Sequence, residues 1–167
     1  MLPTVFLPVD LYRWDRGPAS DAFIVPVWSD VRPLRGAAGL LDWRLCGRLS
    51  KMIRDGRFSG AVGEKLLLAT NRIRWQRVLA VGMGESSSFG DEDLRQAMDA
   101  CLEALRRIGG RSLAIAFPGR DIDLIRPDRA MRGFLDALAN NEAASGEWLE
   151  RLTVIDTAAS AKYLVSA

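Results

Sequence analysis

The stretch that most limits what this chain can fold into is Arg77-Val-Leu-Ala-Val-Gly-Met-Gly84. Val78 to Met83 are all apolar or small, with no alternation of period two, so a strand made from them has both faces covered. A sheet sandwiched between helix layers meets that requirement. The run ends in glycine and a strongly patterned helix begins soon after it, so the other segments can be placed around one buried strand.

The chain has 167 residues, 49% hydrophobic and 26% charged, which suits a single globular domain over 1–167 with a substantial core. Its 23 basic and 21 acidic side chains leave a net charge of +2, so overall charge gives no ground for a nucleic-acid partner or an anionic membrane. Met1 to Val9 is largely apolar but has no basic leader and soon meets Asp10, unlike a cleaved signal peptide. No apolar run approaches membrane-spanning length. Cys46 and Cys101 both fall in segments that read as helix, where a thiol acts as a small core residue. A reduced, cytoplasmic setting is expected.

Taken in order, Pro3 to Pro8 and Asp21 to Trp28 read as strands, with prolines at ends, edges or bulges. Between them, Asp10 to Ser20 reads as a turn-rich surface connection carrying Tyr12, Arg13, Trp14 and Arg16. The turn Val31 to Gly36 leads into a helix of about five turns reaching Arg54. Leu41, Leu45, Leu49, Met52 and Ile53 form its apolar face, with Arg44, Arg48 and Lys51 on another side. Glu64 to Ala69 reads as the next strand and Thr70 to Trp75 as its polar connection to the 77–84 strand. Past Gly84, Ser88 and Asp91 stand at capping-box-like spacing before a helix striped by Leu94, Met98, Cys101, Leu102, Leu105 and Ile108. Gly109-Gly110 end it. Ser112 to Phe117 is a further buried strand, and Pro127 suits the first turn of a third helix with Met131, Phe134, Leu135 and Leu138 inward. Leu152 to Asp156 reads as the last strand. This alternation predicts an α/β layered sheet of mixed sense, since the first strands, and then the 64–69 and 77–84 pair, are joined without helices.

Two stretches offer candidate sites. Gly82-Met-Gly84 with Ser86, Ser87 and Ser88, at the carboxyl end of a buried strand and before a helix, could form a nest of backbone N–H groups for phosphate. It lacks the third glycine of a dinucleotide fingerprint, and a plain strand exit with a helix cap is the stronger reading. Trp14 and Trp75, with Arg13 and Arg74 beside them in connections, are candidate interface anchors, because Trp and Arg are enriched at binding hot spots. Packing of those rings against their own core is the competing reading. The chain has no histidine, so a Ser/His/Asp triad or a Cys/His pair is impossible, and no catalytic residue is assigned. No cluster of cysteines and carboxylates suggests a metal site, and no cofactor is expected. Asp121 and Asp123 read as a solvated turn, and Arg44, Arg48 and Lys51 as the charged side of an exposed helix.

The stretch Arg32-Pro-Leu-Arg-Gly-Ala-Ala-Gly-Leu-Leu-Asp-Trp-Arg-Leu-Cys-Gly-Arg-Leu-Ser50, then Phe58-Ser-Gly-Ala-Val-Gly-Glu-Lys-Leu-Leu-Leu68 and Arg77 to Gly84, resembles the N-terminal domain of leucyl aminopeptidases. The order of elements agrees across roughly Phe23 to Phe117. The resemblance implies a three-layer, macro-domain-like α/β fold, a mixed central sheet with helices on both faces. It also implies that the two-metal peptidase chemistry belongs to a separate C-terminal domain, for which this sequence has no counterpart and whose Asn-Thr-Asp-Ala-Glu-Gly-Arg signature is absent. Macro domains bind ADP-ribose, and Asp21-Ala-Phe-Ile-Val25 is similar to their early strand, but Pro26-Val-Trp-Ser29 replaces the asparagine-containing continuation. The expectation is a non-catalytic binding or assembly module that pairs with itself or another protein; the alternative is a binder or hydrolase of ADP-ribose-type nucleotides.

Overall fold

The computed structural model describes residues 1–164. One six-stranded sheet organises it: β1 (Thr4–Leu7), β2 (Ala22–Trp28), β3 (Lys65–Ala69), β4 (Arg77–Gly84), β5 (Ser112–Ile115) and β6 (Arg151–Ile155) lie in the order β1-β6-β5-β2-β4-β3. All neighbours are parallel except β3, which pairs antiparallel to β4 at one edge. The helices are α1 (Leu11–Arg16), α2 (Gly36–Arg44), α3 (Arg48–Arg54), α4 (Asp91–Arg107), α5 (Pro127–Ser145) and α6 (Ala161–Leu164).

The unbroken apolar strands are explained by two cores, one on each face of the sheet. In β2, Ala22, Ile24 and Trp28 join the core under α4 and α5, while Phe23, Val25 and Val27 join the core under α2 and α3. Leu79, Val81 and Met83 of β4 face the first core, and Val78 and Ala80 the second. A strand buried on both sides gains nothing from alternating polar residues. The stripe of α4 is buried as its spacing requires, and desolvation pushes the Cys101 thiol up to about 12, as befits an inert core residue. Leu135 of α5, expected inward, is exposed instead.

Local structure departs from the sequence expectation at three places. The single helix expected from Gly36 to Arg54 breaks into α2 and α3, because Cys46 and Gly47 turn left-handed with φ of 56° and 76°. The buried Asp42 carboxylate compensates by accepting the Leu49 and Ser50 amides, which would otherwise be orphaned at the start of α3. Cys46 is consequently exposed rather than a core thiol. Second, α4 opens at Gly90, not Ser88: the Asp93 carboxylate accepts the Gly90 N–H at 2.8 Å, and Ser86–Ser88 form a single 3-10 turn. Third, the Asp10–Ser20 connection contains α1, capped by Asp10 through the Arg13 amide at 3.0 Å.

Candidate functional site

Open α/β sheets offer ligands the crevice beyond the carboxyl ends of their parallel strands. Here that place lies at the ends of β2, β4 and β5, and it contains the Gly82, Gly84, Ser86, Ser87 and Ser88 stretch. The loop from Phe58 to Glu64 occupies it. Gly82 donates to the Glu64 carbonyl and Gly84 to the Gly60 carbonyl, both at 2.8 Å. A Cβ on Gly82 would overlap the Ala61 carbonyl oxygen, and one on Gly84 would come within 2.7 Å of the Val62 side chain. These glycines are therefore explained by close packing of the chain against itself rather than by a ligand.

Other amides around the crevice meet carboxylates of the same chain. Asp30, just past β2, accepts the Ser86 N–H at 2.9 and 3.0 Å and the Ser86 hydroxyl at 2.9 Å. Glu64 Oε2 accepts the amides of Ser59, Gly60 and Ala61 at 2.8, 2.8 and 3.0 Å, together with the Ser59 hydroxyl. The Ser86 amide bond holds the Asp30 carboxyl below its ordinary range, and the Ser59 hydroxyl and amide do the same for Glu64. Both stay ionised at neutral pH, so an incoming phosphate would meet negative charge where it needs free N–H groups. Arg32 closes the loops further, donating to the Trp28 and Ser59 carbonyls at 2.6 and 3.0 Å.

Apolar groups fill the middle. The Phe89 ring meets Trp28 edge-on at 4.8 Å, and the Trp28 indole N–H reaches the Asp121 carboxylate at 2.9 Å. Asp121 is thus part of the packing rather than a solvated turn; burial raises its pKa, with the Trp28 bond opposing that rise. Asp123 is exposed as expected. Beside this region Arg120 is buried and donates to Asp156 at 2.8 Å, tying the loop after β5 to the end of β6.

The tryptophan reading resolves toward the core. Trp14 and Trp75 have 0% exposure, and with Phe23 they form one aromatic cluster with centroids 4.8 to 5.9 Å apart. Their indole N–H groups are satisfied internally, Trp14 by the Pro8 carbonyl at 2.9 Å and Trp75 by the Pro18 carbonyl at 3.0 Å. An interface anchor must be free before it binds, so these two side chains cannot serve as one; Arg13 and Arg74 remain exposed beside them. The exposed tryptophan is Trp43, at 72%, beside a groove of about 810 Å³ with Pro33, Leu34, Cys46 and Arg72. Sequence spacing did not single it out because it stands next to Asp42 and Arg44, in a helix whose two sides are only weakly different. Leu67, on the edge strand β3, is also exposed, at 49%. Among the described residues no group of three or more His, Cys, Asp or Glu side chains is placed to hold a metal ion. No described helix is long and apolar enough to cross a membrane.

Strand order, the antiparallel edge and helices on both faces define a macro-domain-like three-layer protein. A Trypanosoma brucei macrodomain solved with ADP superposes with a TM-score of 0.74 at 16% identity, covering 98% of this chain and 68% of that one. A tomato leucine aminopeptidase mutant gives 0.64 at 16% identity, covering 99% of this chain but 35% of that one. Within that class, residues 24–137 match the N-terminal domain of the cytosol aminopeptidase family, and the chain belongs to that family. A probable cytosol aminopeptidase of Pseudomonas syringae pv. tomato is 31% identical over 122 residues, 72% of this chain and 25% of that protein. The cytosol aminopeptidase of Pseudomonas aeruginosa is 31% identical over 96 residues, 57% of this chain and 19% of that protein. The chain thus spans about a quarter or less of the length of these relatives.

Proposed function

We propose that this chain is a non-catalytic binding or assembly module of the leucyl aminopeptidase N-terminal class, working in the cytosol through protein contacts, with itself or with another protein. The observation that carries this reading is the state of the crevice: the Gly60, Gly82, Gly84 and Ser86 amides are bonded to Asp30, Glu64 and the 58–64 loop. A binding module needs accessible apolar side chains instead, and Trp43 and Leu67 supply them. The match to the family runs through its N-terminal domain, over residues 24–137.

The purified chain is therefore expected not to release leucine from leucine amide, with or without added manganese or zinc. Metal-dependent release that survives repeated purification, and is lost with a chelator, would contradict the non-catalytic reading.

A further inference from the structure

The sheet has an unfinished edge at β3, which pairs with β4 on one side only. The ladder places the bonds. Gly82 donates to Glu64 and Thr70 to Gln76, so the even-numbered residues of this strand point their backbone groups at β4. In an antiparallel ladder the alternate residues point the other way, so the N–H and C=O groups of Lys65, Leu67 and Ala69 face outward. All three residues are exposed, Leu67 at 49%. Arg48 donates to the Ala69 carbonyl at 2.9 Å, which leaves that oxygen a second lone pair.

Exposed edges carry devices that discourage pairing, such as a proline, a bulge, an inward charge, a short strand or an edge lysine; β3 has a five-residue length and Lys65 but no proline or bulge. This one reads Lys65-Leu-Leu-Leu-Ala69, and its own sequence is self-complementary about the centre. Setting a second copy antiparallel with the two-fold axis at Leu67 puts Leu67 opposite Leu67, Leu66 opposite Leu68 and Lys65 opposite Ala69. No lysine then faces another lysine. The outward groups of the two strands meet as hydrogen-bonded pairs at Leu67 with itself and at Lys65 with Ala69. On the α4 side the two Leu67 side chains come together; on the other face the half-buried Leu66 meets Leu68.

We propose that β3 is an isologous pairing edge, and that its occupant is the β3 of a second copy of this chain, giving one continuous twelve-stranded sheet across a two-fold axis. This inference rests on the assembly reading and assigns it a surface and a partner. Net charge does not oppose it, since +2 on each copy is small.

Light scattering over a concentration series tests it, with two charged variants, Leu67→Lys and Leu67→Asp. Both replace an exposed side chain, and circular dichroism checks that each folds. The wild type is expected to rise to the two-chain mass as concentration increases. Each variant alone is expected to stay at single-chain mass where the wild type is paired, because the axis brings two like charges face to face. An equimolar mixture of the two variants is expected to recover the two-chain mass, since lysine then faces aspartate. A wild type that remains single-chain throughout overturns the proposal, as does a Leu67→Lys variant that pairs as well as wild type, or a mixture that fails to pair. The same edge capturing a different protein while this chain stays single also overturns it. None of these outcomes touches the non-catalytic reading, which the leucine amide assay decides separately.

Discussion

Replacing Trp14 or Trp75 with alanine is expected to lower the unfolding free energy by about 3–5 kcal/mol, the range for emptying a buried aromatic site. Each ring is fully buried, each touches Phe23 and the other, and each indole N–H has an internal carbonyl partner. Truncation removes transfer free energy and leaves a cavity between α1 and the β3–β4 connection; loss of Trp75 also takes the indole donor from the Pro18 carbonyl, whereas the Pro8 carbonyl keeps the Asp10 amide at 2.9 Å. The two effects should fall short of additive in the double variant, because the rings share contacts. Urea unfolding monitored by circular dichroism measures this. A loss under about 1 kcal/mol, together with weakened self-association, would return the tryptophans to the role of interface anchors.

Asp156→Ala is expected to cost a similar amount, about 3–5 kcal/mol, because it removes the buried counter-charge of the Arg120 guanidinium and leaves only the exposed Asp123 carboxylate as an ion-pair partner. The Arg120 and Asp156 side chains are 8% and 4% exposed, and the pair is bonded through Nε at 2.8 Å and Nη2 at 3.3 Å. What remains for Arg120 is the Ile125 carbonyl, the Ser160 hydroxyl and the solvent-facing Asp123. Of these only Asp123 carries charge, and its side chain is 94% exposed, so water screens it. Replacing both partners, Arg120→Met with Asp156→Leu, should cost less than Asp156→Ala alone, since no uncompensated charge is then buried. Denaturant unfolding of the three variants checks the ordering. Equal losses for the single and double variants would mean that packing, rather than charge, sets the energy at this corner.

Sequence alone made the layered sheet readable because buried parallel strands announce themselves. Val78 to Met83 and Phe23 to Val27 are apolar on both faces, and α4 carries its stripe at helical spacing. What it could not deliver were the places where long-range contact overrides local pattern. Trp14 and Trp75 sit in polar, arginine-rich connections, and only their meeting across α1 and the β3–β4 connection reveals a core. The α2–α3 break depends on a carboxylate seven residues before the amide it caps. The glycines of β4 left a phosphate nest open as the weaker reading because the same residue suits close approach of a ligand and close approach of the chain's own backbone. Asp30 is 56 residues from the Ser86 amide it fills, a separation at which no local motif operates.

The chain itself fills the crevice beyond β2, β4 and β5. Calorimetric titration with ADP-ribose tests this, since the Gly60, Ala61 and Ser86 amides that could meet its phosphates are bonded to Asp30 and Glu64. No saturable heat beyond dilution is expected for the wild-type chain. Tight, saturable binding of one ADP-ribose per chain would contradict it, and would mean that the 58–64 loop and both carboxylates yield to ligand.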